Sequence, residues 1–413
     1  MVPAVARSSG IDDSSDMTTT TLAPPRREPV IAFAALPPLS LYVHIPWCVR
    51  KCPYCDFNSH EARGELPERQ YAQALMADLE RALPSVWGRR VHTVFFGGGT
   101  PSLLSAKALD EILAGIRARV PLDPDAEVTL EANPGTFESD RFAQFRRLGI
   151  NRLSIGIQSL NARHLKALGR IHDGEEARRA IEIARTAFDN VNLDLMYGLP
   201  EQTLLEAEAD FSAAVEFAPQ HLSAYHLTIE PNTYFHRYPP PLPDEHVAAD
   251  MQETIESLLA EHGYTHYETS AFARTGYQCR HNSNYWLFGD YLGIGAGAHS
   301  KISFADRIVR QVRWKHPRDY LERVAAGVPI QQENAVETVE VPFEFMMNAL
   351  RLTRGFPARL FEERTGLPLR IIARELEEAE RRGLLTRTHA AIAPSVRGQR
   401  FLNDLLQLFL RGQ

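Results

Sequence analysis

Residues 41–55 read Leu-Tyr-Val-His-Ile-Pro-Trp-Cys-Val-Arg-Lys-Cys-Pro-Tyr-Cys, a short apolar run that leads directly into three closely spaced cysteines. The run Leu41–Pro46 has the length and composition of a buried strand. Cys48, Cys52 and Cys55 follow it on a loop, and cysteine thiolates at such spacing can wrap around one iron–sulfur cube. Most electron-transfer clusters use four cysteines. Because only three lie close together here, we expect a 4Fe–4S cluster with one iron that lacks a protein ligand.

A zinc site is the alternative interpretation of the same cysteines, with His44 or His60 as a further ligand. Zinc sites of this kind normally use paired Cys-x-x-Cys units, and the sequence contains no second unit. Arg50 and Lys51 would also favour thiolates electrostatically. The pattern therefore favours a cluster over zinc.

The composition describes a globular protein with one large domain and a smaller one. The chain has 413 residues, 44% hydrophobic and 23% charged, and its 45 basic and 52 acidic side chains give a net charge of −7. This charge disfavours non-specific binding to nucleic acid or to an anionic membrane surface. The four cysteines cannot form a disulfide framework, which predicts a reducing, cytoplasmic location. No apolar run approaches the roughly 18 residues that span a bilayer, so membrane contact would be peripheral.

Residues 1–40 differ from the rest of the chain in composition. They are rich in Ser, Thr, Pro and Ala, and acidic residues occur early, at Asp12, Asp13 and Asp16. Secretion signals need a basic start and an apolar stretch, and transit peptides are poor in acidic residues. We therefore predict a disordered leader over 1–40, with the true start at Met1 or Met17.

Short apolar runs alternate with amphipathic stretches from residue 41 onward. The predicted strands are Leu41–Pro46, Val91–Phe96, Glu127–Asn133, Arg152–Gln158, Val191–Tyr197 and His221–Ile229. The predicted helices between them include Glu68–Leu83, Ala106–Arg119 and Glu175–Phe188. Repeated βα units imply a parallel sheet in an α/β protein, and six units favour a partial (β/α)6 barrel over residues 41–245.

The remaining chain is predicted as two further regions. Residues 246–335 look irregular, with a loop around Cys279 and a glycine-rich stretch at Gly293–Gly297. Residues 336–413 are mostly helical with two short strands, an order that resembles a winged helix. The candidate second helix of this region is acidic and would repel DNA phosphates. We therefore expect the region to be a structural cap, and we expect no nucleic-acid partner. The residues responsible are Glu375, Glu377, Glu378 and Glu380.

Polar or glycine residues follow the later strands of the predicted barrel. Alone, each would be an ordinary surface or cap residue, but the working face of barrel folds lies at strand ends. Glycines there permit close approach of the backbone to a ligand, and no phosphate-loop Gly-Lys-Ser/Thr follows them. The residues are Gly98, Gly99, Thr100, Glu131, Gln158 and Asp194, with Arg170 on the next helix.

The Cys-x3-Cys-x2-Cys loop after a first strand resembles the radical S-adenosylmethionine (SAM) superfamily. The resemblance implies that the open iron chelates the amino and carboxylate groups of SAM. Reduction of the cluster would then cleave SAM to methionine and a 5′-deoxyadenosyl radical. Over roughly residues 41–230 the chain is similar to oxygen-independent coproporphyrinogen III oxidases. That similarity implies that Tyr54 lies near the adenine of SAM. It implies contacts with SAM for Tyr42, Gly98, Gly99, Thr100, Glu131, Gln158, Arg170 and Asp194.

Two features distinguish branches of that family. The oxidases carry another cysteine two residues beyond the third ligand, where this chain has Phe57. The phenylalanine resembles the heme chaperone branch, HemW. Residues 279–286, Cys-Arg-His-Asn-Ser-Asn-Tyr-Trp, resemble the HNxxYW heme-binding motif of that branch. His281 would supply an axial imidazole to heme, and Tyr285 and Trp286 a flat apolar surface.

Two features near that motif stay open. Cys279 is either a competing heme ligand or an inert buried thiol. The stretch Tyr291–His299 partly satisfies a dinucleotide fingerprint but lacks the long helix that should follow. We expect it to be a loop that lines the SAM or tetrapyrrole pocket.

The resemblance implies a heme chaperone with a radical SAM core, which passes heme to acceptors such as respiratory proteins. The enzymatic alternative is oxidative decarboxylation of coproporphyrinogen III with SAM as oxidant, and Phe57 argues against it. A third possibility is a cluster-bearing scaffold without SAM turnover.

Overall fold

Strands and helices alternate through most of the computed structural model, which describes residues 30–135 and 139–410. The strands are β1 (Leu39–Ile45), β2 (Trp47–Cys48), β3 (His60–Glu61), β4 (Val91–Gly98), β5 (Leu122–Ala132), β6 (Arg152–Gln158), β7 (Val191–Tyr197), β8 (His221–His226), β9 (Thr265–Glu268), β10 (Ala271–Ala273), β11 (Asp290–Ile294), β12 (His299–Ser303), β13 (Ile308–Arg313), β14 (Ile330–Ala335), β15 (Phe356–Pro357), β16 (Leu385–Arg387) and β17 (Ala391–Pro394). The helices are α1 (Glu68–Ala82), α2 (Ala106–Arg119), α3 (Ser139–Arg147), α4 (Ala162–Ala167), α5 (Gly174–Ala187), α6 (Leu204–Glu216), α7 (Tyr234–Arg237), α8 (Glu245–Glu261), α9 (Arg280–Trp286), α10 (Pro317–Ala325), α11 (Val341–Ala349), α12 (Ala358–Thr365), α13 (Ala373–Arg381), α14 (Val396–Arg400) and α15 (Leu402–Gln407).

The six predicted strands form the parallel centre of one sheet, in the order β1-β4-β5-β6-β7-β8. Parallel neighbours need crossover connections, and helices supply them here. The apolar faces of these helices pack on the sheet in one core, through side chains such as Leu109, Ile181 and Phe211. This arrangement confirms the predicted α/β fold and its repeated βα units.

The sheet continues beyond the predicted strands at both edges. Strand β11 lies parallel to β1, with Leu41 opposite Leu292, and β12, β13 and β14 follow it antiparallel. At the other edge β10 pairs antiparallel with β8, and β9 with β10. Residues 246–335 are therefore far more regular than their sequence indicates. The predicted glycine-rich loop is corrected too, because Gly293 and Ile294 belong to β11.

Local patterns miss β11 because its pairing partners are distant in the chain. A Cβ at Gly293 would lie 2.1 Å from the carbonyl oxygen of His299, so glycine there serves close packing of the returning strand.

The predicted disordered leader is corrected over its last part. Residues 1–29 lie outside the described residues. From residue 30 the chain has defined contacts: Ile31 is 4% exposed, and the Ala32 amide donates to the Gly366 oxygen at 3.0 Å. Residues 39 and 40 already belong to β1. Residues 30–38 have a defined position because they pack against the distant C-terminal region. The composition of the segment cannot reveal such a contact.

The C-terminal region is mostly helical, as predicted, and builds a second apolar core. Phe345 lies at its centre, with its ring centroid 5.0 Å from Phe356 and 5.1 Å from Phe361. Strands β15, β17 and β16 form a small antiparallel sheet beside the helices. Two short helices, α14 and α15, follow β17 and meet at Phe401. Within the described residues, no helix has the length and apolarity needed to cross a bilayer.

Candidate cluster and cofactor site

A cavity of about 430 Å³ collects most of the predicted site residues. Side chains from β1, from strands β4–β8 and from residues 48–59, called here the cluster loop, line it. The predicted residues that line it are Tyr42, Cys48, Cys52, Tyr54, Cys55, Gly98, Gly99, Glu131, Gln158, Arg170, Asp194, His281 and Tyr285. Thr100, Cys279 and Trp286 are not among the lining residues.

The three cysteines of the cluster loop are free thiols that face this cavity. Burial raises the pKa of the Cys48 and Cys55 thiols, so a bound metal would have to stabilise their thiolates. Within residues 30–135 and 139–410, no three His, Cys, Asp or Glu side chains lie close enough to hold a single metal ion. Tetrahedral zinc requires such convergence, whereas a cubane distributes its cysteines over separate irons. The donor set thus fits a cluster.

Hydrogen bonds fix the second half of the cluster loop. The Asn58 side-chain amide donates to the carbonyl oxygens of Ala296 at 2.9 Å and Lys315 at 2.8 Å. The Asn58 carbonyl accepts from His44 Nε2 at 2.9 Å. Because His44 is engaged in this way, it positions the loop and does not act as the additional zinc ligand considered above.

The glycine turn after β4 lies directly against the start of the cluster loop. The Gly99 amide donates to Ile45 O and the Thr100 amide to Trp47 O, both at 2.7 Å. A Cβ at Gly99 would lie 2.4 Å from Trp47 O, and Gly98 has a φ of +115°, so both positions require glycine. The Thr100 hydroxyl is buried, accepts from the Asn133 side chain at 2.8 Å and also contacts the Cys48 thiol.

Arg170 connects the cluster loop with the strand ends. Its Nη1 donates to Cys52 Sγ at 3.5 Å, and its Nη2 donates to Asn133 Oδ1 at 2.6 Å and to Gly156 O at 2.8 Å. The guanidinium is therefore held by neutral acceptors and places a positive charge beside a thiol that would become a thiolate on metal binding.

Two buried carboxyl groups face the same cavity. Burial, with a smaller contribution from Asp194, raises the pKa of Glu131 to about 8. Burial also raises the pKa of Asp194, which accepts from Ser154 at 3.0 Å and from Asn192 at 2.8 Å. Acids in this environment would accept hydrogen bonds from ligand hydroxyls or from an ammonium group, and SAM carries both.

Sequence reasoning missed the polar floor of the cavity. Arg152 is almost fully buried there, and its Nε has no hydrogen-bond partner in the described part of the chain. The other missed residues are Ser154, Asn192, His221, Ser223 and Tyr225. A signal was available, because these side chains recur at every second position of otherwise apolar strands, the periodicity of one strand face.

His281 lies at the floor of the cavity with both ring nitrogens engaged. Thr93 donates its hydroxyl to Ser40 and therefore accepts from His281 Nδ1 at 2.8 Å. His281 Nε2 faces the Tyr285 hydroxyl at 3.3 Å. Burial lowers the pKa of His281 to about 3, so the imidazole is neutral. Ligation of a metal through Nε2 would require Tyr285 to move away.

Two residues of the predicted heme motif point elsewhere. Cys279 is fully buried, caps α9 by accepting from the Asn282 amide at 3.5 Å, and donates to Glu127 at 3.7 Å. Burial raises its thiol pKa to about 12. The Trp286 ring packs under the Arg351 guanidinium, 4.3 Å from the ring centroid.

Comparisons with known proteins agree with this geometry. A profile of the radical SAM superfamily matches residues 42–214, and a profile of the HemN C-terminal domain matches residues 339–401. The curated "Heme chaperone HemW" of Escherichia coli is 51% identical over 377 residues, covering 91% of this chain and 99% of that protein. The protein of the same name from Haemophilus influenzae is 46% identical over 381 residues, covering 91% and 98%.

A solved structure extends the comparison to the fold. The coproporphyrinogen III oxidase HemN from Escherichia coli superposes with a TM-score of 0.78 at 24% identity, covering 91% of this chain and 90% of that one. At that identity the similarity concerns the fold alone. The sequence relatives are much more similar and extend over nearly their full lengths. The chain therefore belongs to the HemW family of the radical SAM superfamily.

Proposed function

We propose that this protein is a heme chaperone, which binds heme and delivers it to acceptor proteins from a radical SAM core. The observation that carries the proposal is the 51% identity to the heme chaperone of Escherichia coli over 91% of this chain. The cavity supports it, because the cysteines and the strand-end polar residues of the radical SAM core converge there.

The cluster and SAM belong to the same proposal. Cys48, Cys52 and Cys55 would hold the 4Fe–4S cluster, which, once reduced, would supply an electron for reductive cleavage of SAM. The residues of the chain would position the cofactor: Glu131 and Asp194 would accept hydrogen bonds from it, and Arg170 links the cluster loop to the strand ends through Cys52 and Gly156. Tyr54 packs beside Phe235, with centroids 6.4 Å apart, and closes one wall near the loop.

Position 57 argues against the oxidase alternative. Phe57 is 61% exposed at the edge of the cavity, where the oxidases resembled here carry another cysteine. An exposed phenyl ring supplies no thiol to the reaction, and it offers apolar surface to a flat macrocycle.

The proposal extends to the proteins that would accept the heme. We infer respiratory heme proteins, reached from the cytoplasm with at most peripheral contact with the membrane. The support is the family resemblance together with the acidic net charge of −7, which does not favour anionic lipid.

Heme transfer tests the proposal directly. Anaerobically reconstituted protein should bind hemin with a shifted Soret band and then load a heme-free b-type cytochrome faster than free hemin does. The control is a parallel assay with coproporphyrinogen, SAM and reductant. Robust protoporphyrinogen formation, or the absence of any hemin complex, would overturn the chaperone proposal.

A further inference from the structure

A second pocket, of about 340 Å³, opens beside the main cavity. Phe57 and Tyr285 border both spaces, but Tyr291 and His299 line only the second one. His299 is the first residue of β12. Its position brings an imidazole to the wall of a pocket that is lined by the aromatic side chains of Tyr42, Phe57, Tyr285 and Tyr291 and also by His44, Asn58, Gly98, Glu131 and Gly297.

His299 differs from the other histidines at this site in being free. Its side chain is exposed and forms no hydrogen bond within residues 30–135 and 139–410. His44, in the same pocket, engages Tyr42 at 3.0 Å and Asn58 at 2.9 Å, and both nitrogens of His281 are engaged as well. Partial burial, followed by the nearby charges of Lys315 and Arg310, lowers the pKa of His299, which favours the neutral imidazole that metals bind.

The surroundings of His299 suit an anionic, flat macrocycle. The rings of Tyr285 and Tyr291 lie with centroids 4.4 Å apart, and the exposed Phe57 side chain lines the same pocket. Lys315 is exposed, and its ammonium forms no ion pair within the described ranges. Arg310 is held by Tyr291 at 2.6 Å and by Glu344. A porphyrin requires apolar walls, cations for its propionates and an axial ligand for its iron.

We propose that heme is seated in this second pocket, with His299 as an axial ligand to the iron and Lys315 facing a propionate. The assignment rests on the proposed function, since it specifies where the chaperone holds its cargo. Heme and SAM would then occupy adjacent spaces that share a wall, to which Tyr42, Phe57, Gly98, Glu131 and Tyr285 contribute.

Hemin titration of matched variants tests the assignment. His299→Ala should weaken hemin binding by about tenfold or more and alter the Soret band and the spin state seen by electron paramagnetic resonance. Added imidazole should restore the spectrum. His246→Ala removes another exposed histidine, on α8, and should bind hemin as the wild type does. Lys315→Ala should weaken binding without moving the Soret band, because it leaves the iron ligand in place.

The outcomes separate the two levels of the proposal. If wild-type protein does not bind hemin, the chaperone function itself fails. If wild-type protein binds hemin and His299→Ala keeps its affinity and spectrum, the assignment to the second pocket fails and the function stands. Loss of the spectrum in His281→Ala alone would assign ligation to the floor histidine predicted from the motif. Circular dichroism of each variant separates a lost ligand from a lost fold.

Discussion

At the scale of single residues, the cavity is built around ionisable groups whose pKa values are raised by burial. Glu131, Asp194, Cys48 and Cys55 all have pKa values above their ordinary ranges, and desolvation is the leading cause for each. A cationic cofactor and a metal cluster would reverse this by supplying compensating positive charge. Binding of the cofactor and the cluster should therefore lower these pKa values.

Glu131 makes this arrangement testable in the cofactor-free protein. Its carboxyl pKa is about 8 in the folded state and near 4.5 when exposed, so the folded state binds the extra proton between these values. The free energy of unfolding should therefore fall as pH rises through that window. Between about pH 5.5 and 7.5, wild type should lose roughly 1–3 kcal/mol relative to Glu131→Gln. Urea denaturation measures the difference, and parallel pH profiles for the two proteins would contradict it.

At the scale of elements, the heme motif is a short helix held by distant strands. Helix α9 has 7 residues, too few to be stable alone. The Glu127 carboxylate on β5 accepts from the amides of Arg280 at 3.1 Å and His281 at 3.0 Å. The Asn284 side chain donates to Ser40 on β1 and to the Asp290 carbonyl on β11, both at 2.9 Å. Several residues of the motif therefore attach α9 to the sheet.

Removing the carboxylate that holds α9 should measure this dependence. Glu127→Ala leaves the buried amide of His281 and the part-buried amide of Arg280 without this acceptor, and it should lower the free energy of unfolding by about 2–3 kcal/mol. Asp125→Ala is the matched control, because Asp125 pairs with Arg280 on the surface and should cost less than about 1 kcal/mol. Urea unfolding followed by circular dichroism gives both values. Equal losses in the two variants would refute the structural role of Glu127.

At the scale of the whole molecule, two apolar cores are joined through segments far apart in sequence. The larger core surrounds the parallel strands, and the smaller one lies among the C-terminal helices. Ile31 and Phe288 contribute to the smaller core although they lie outside the C-terminal region. The segment before β1 thus ties the C-terminal region to the sheet.

Ile31 offers a test of this connection. Ile31→Ala removes buried methyl groups from the smaller core and should lower stability by about 2–4 kcal/mol. Val30→Ala is the neighbouring control, since Val30 is 76% exposed and should change stability little. Thermal unfolding monitored by circular dichroism compares them. An Ile31 variant as stable as the control would show that the segment does not anchor the region.

The sequence by itself determined the cluster loop, the predicted strands of the parallel sheet and the helices between them. Arg152–Gln158 and Val191–Tyr197 were predicted with their observed bounds, because a buried strand is a local run of apolar residues. The cysteine spacing is equally local.

Only the tertiary structure decided how distant segments meet. It placed β11 beside β1, turned Cys279 and Trp286 away from the cavity, and brought His299 to a pocket beside Phe57. Each of these facts depends on contacts between residues that are far apart in the chain, as are the bonds from Asn58 to Ala296 and Lys315. Periodicity records the environment of neighbours along the chain, and it carries no information about which remote surface supplies that environment.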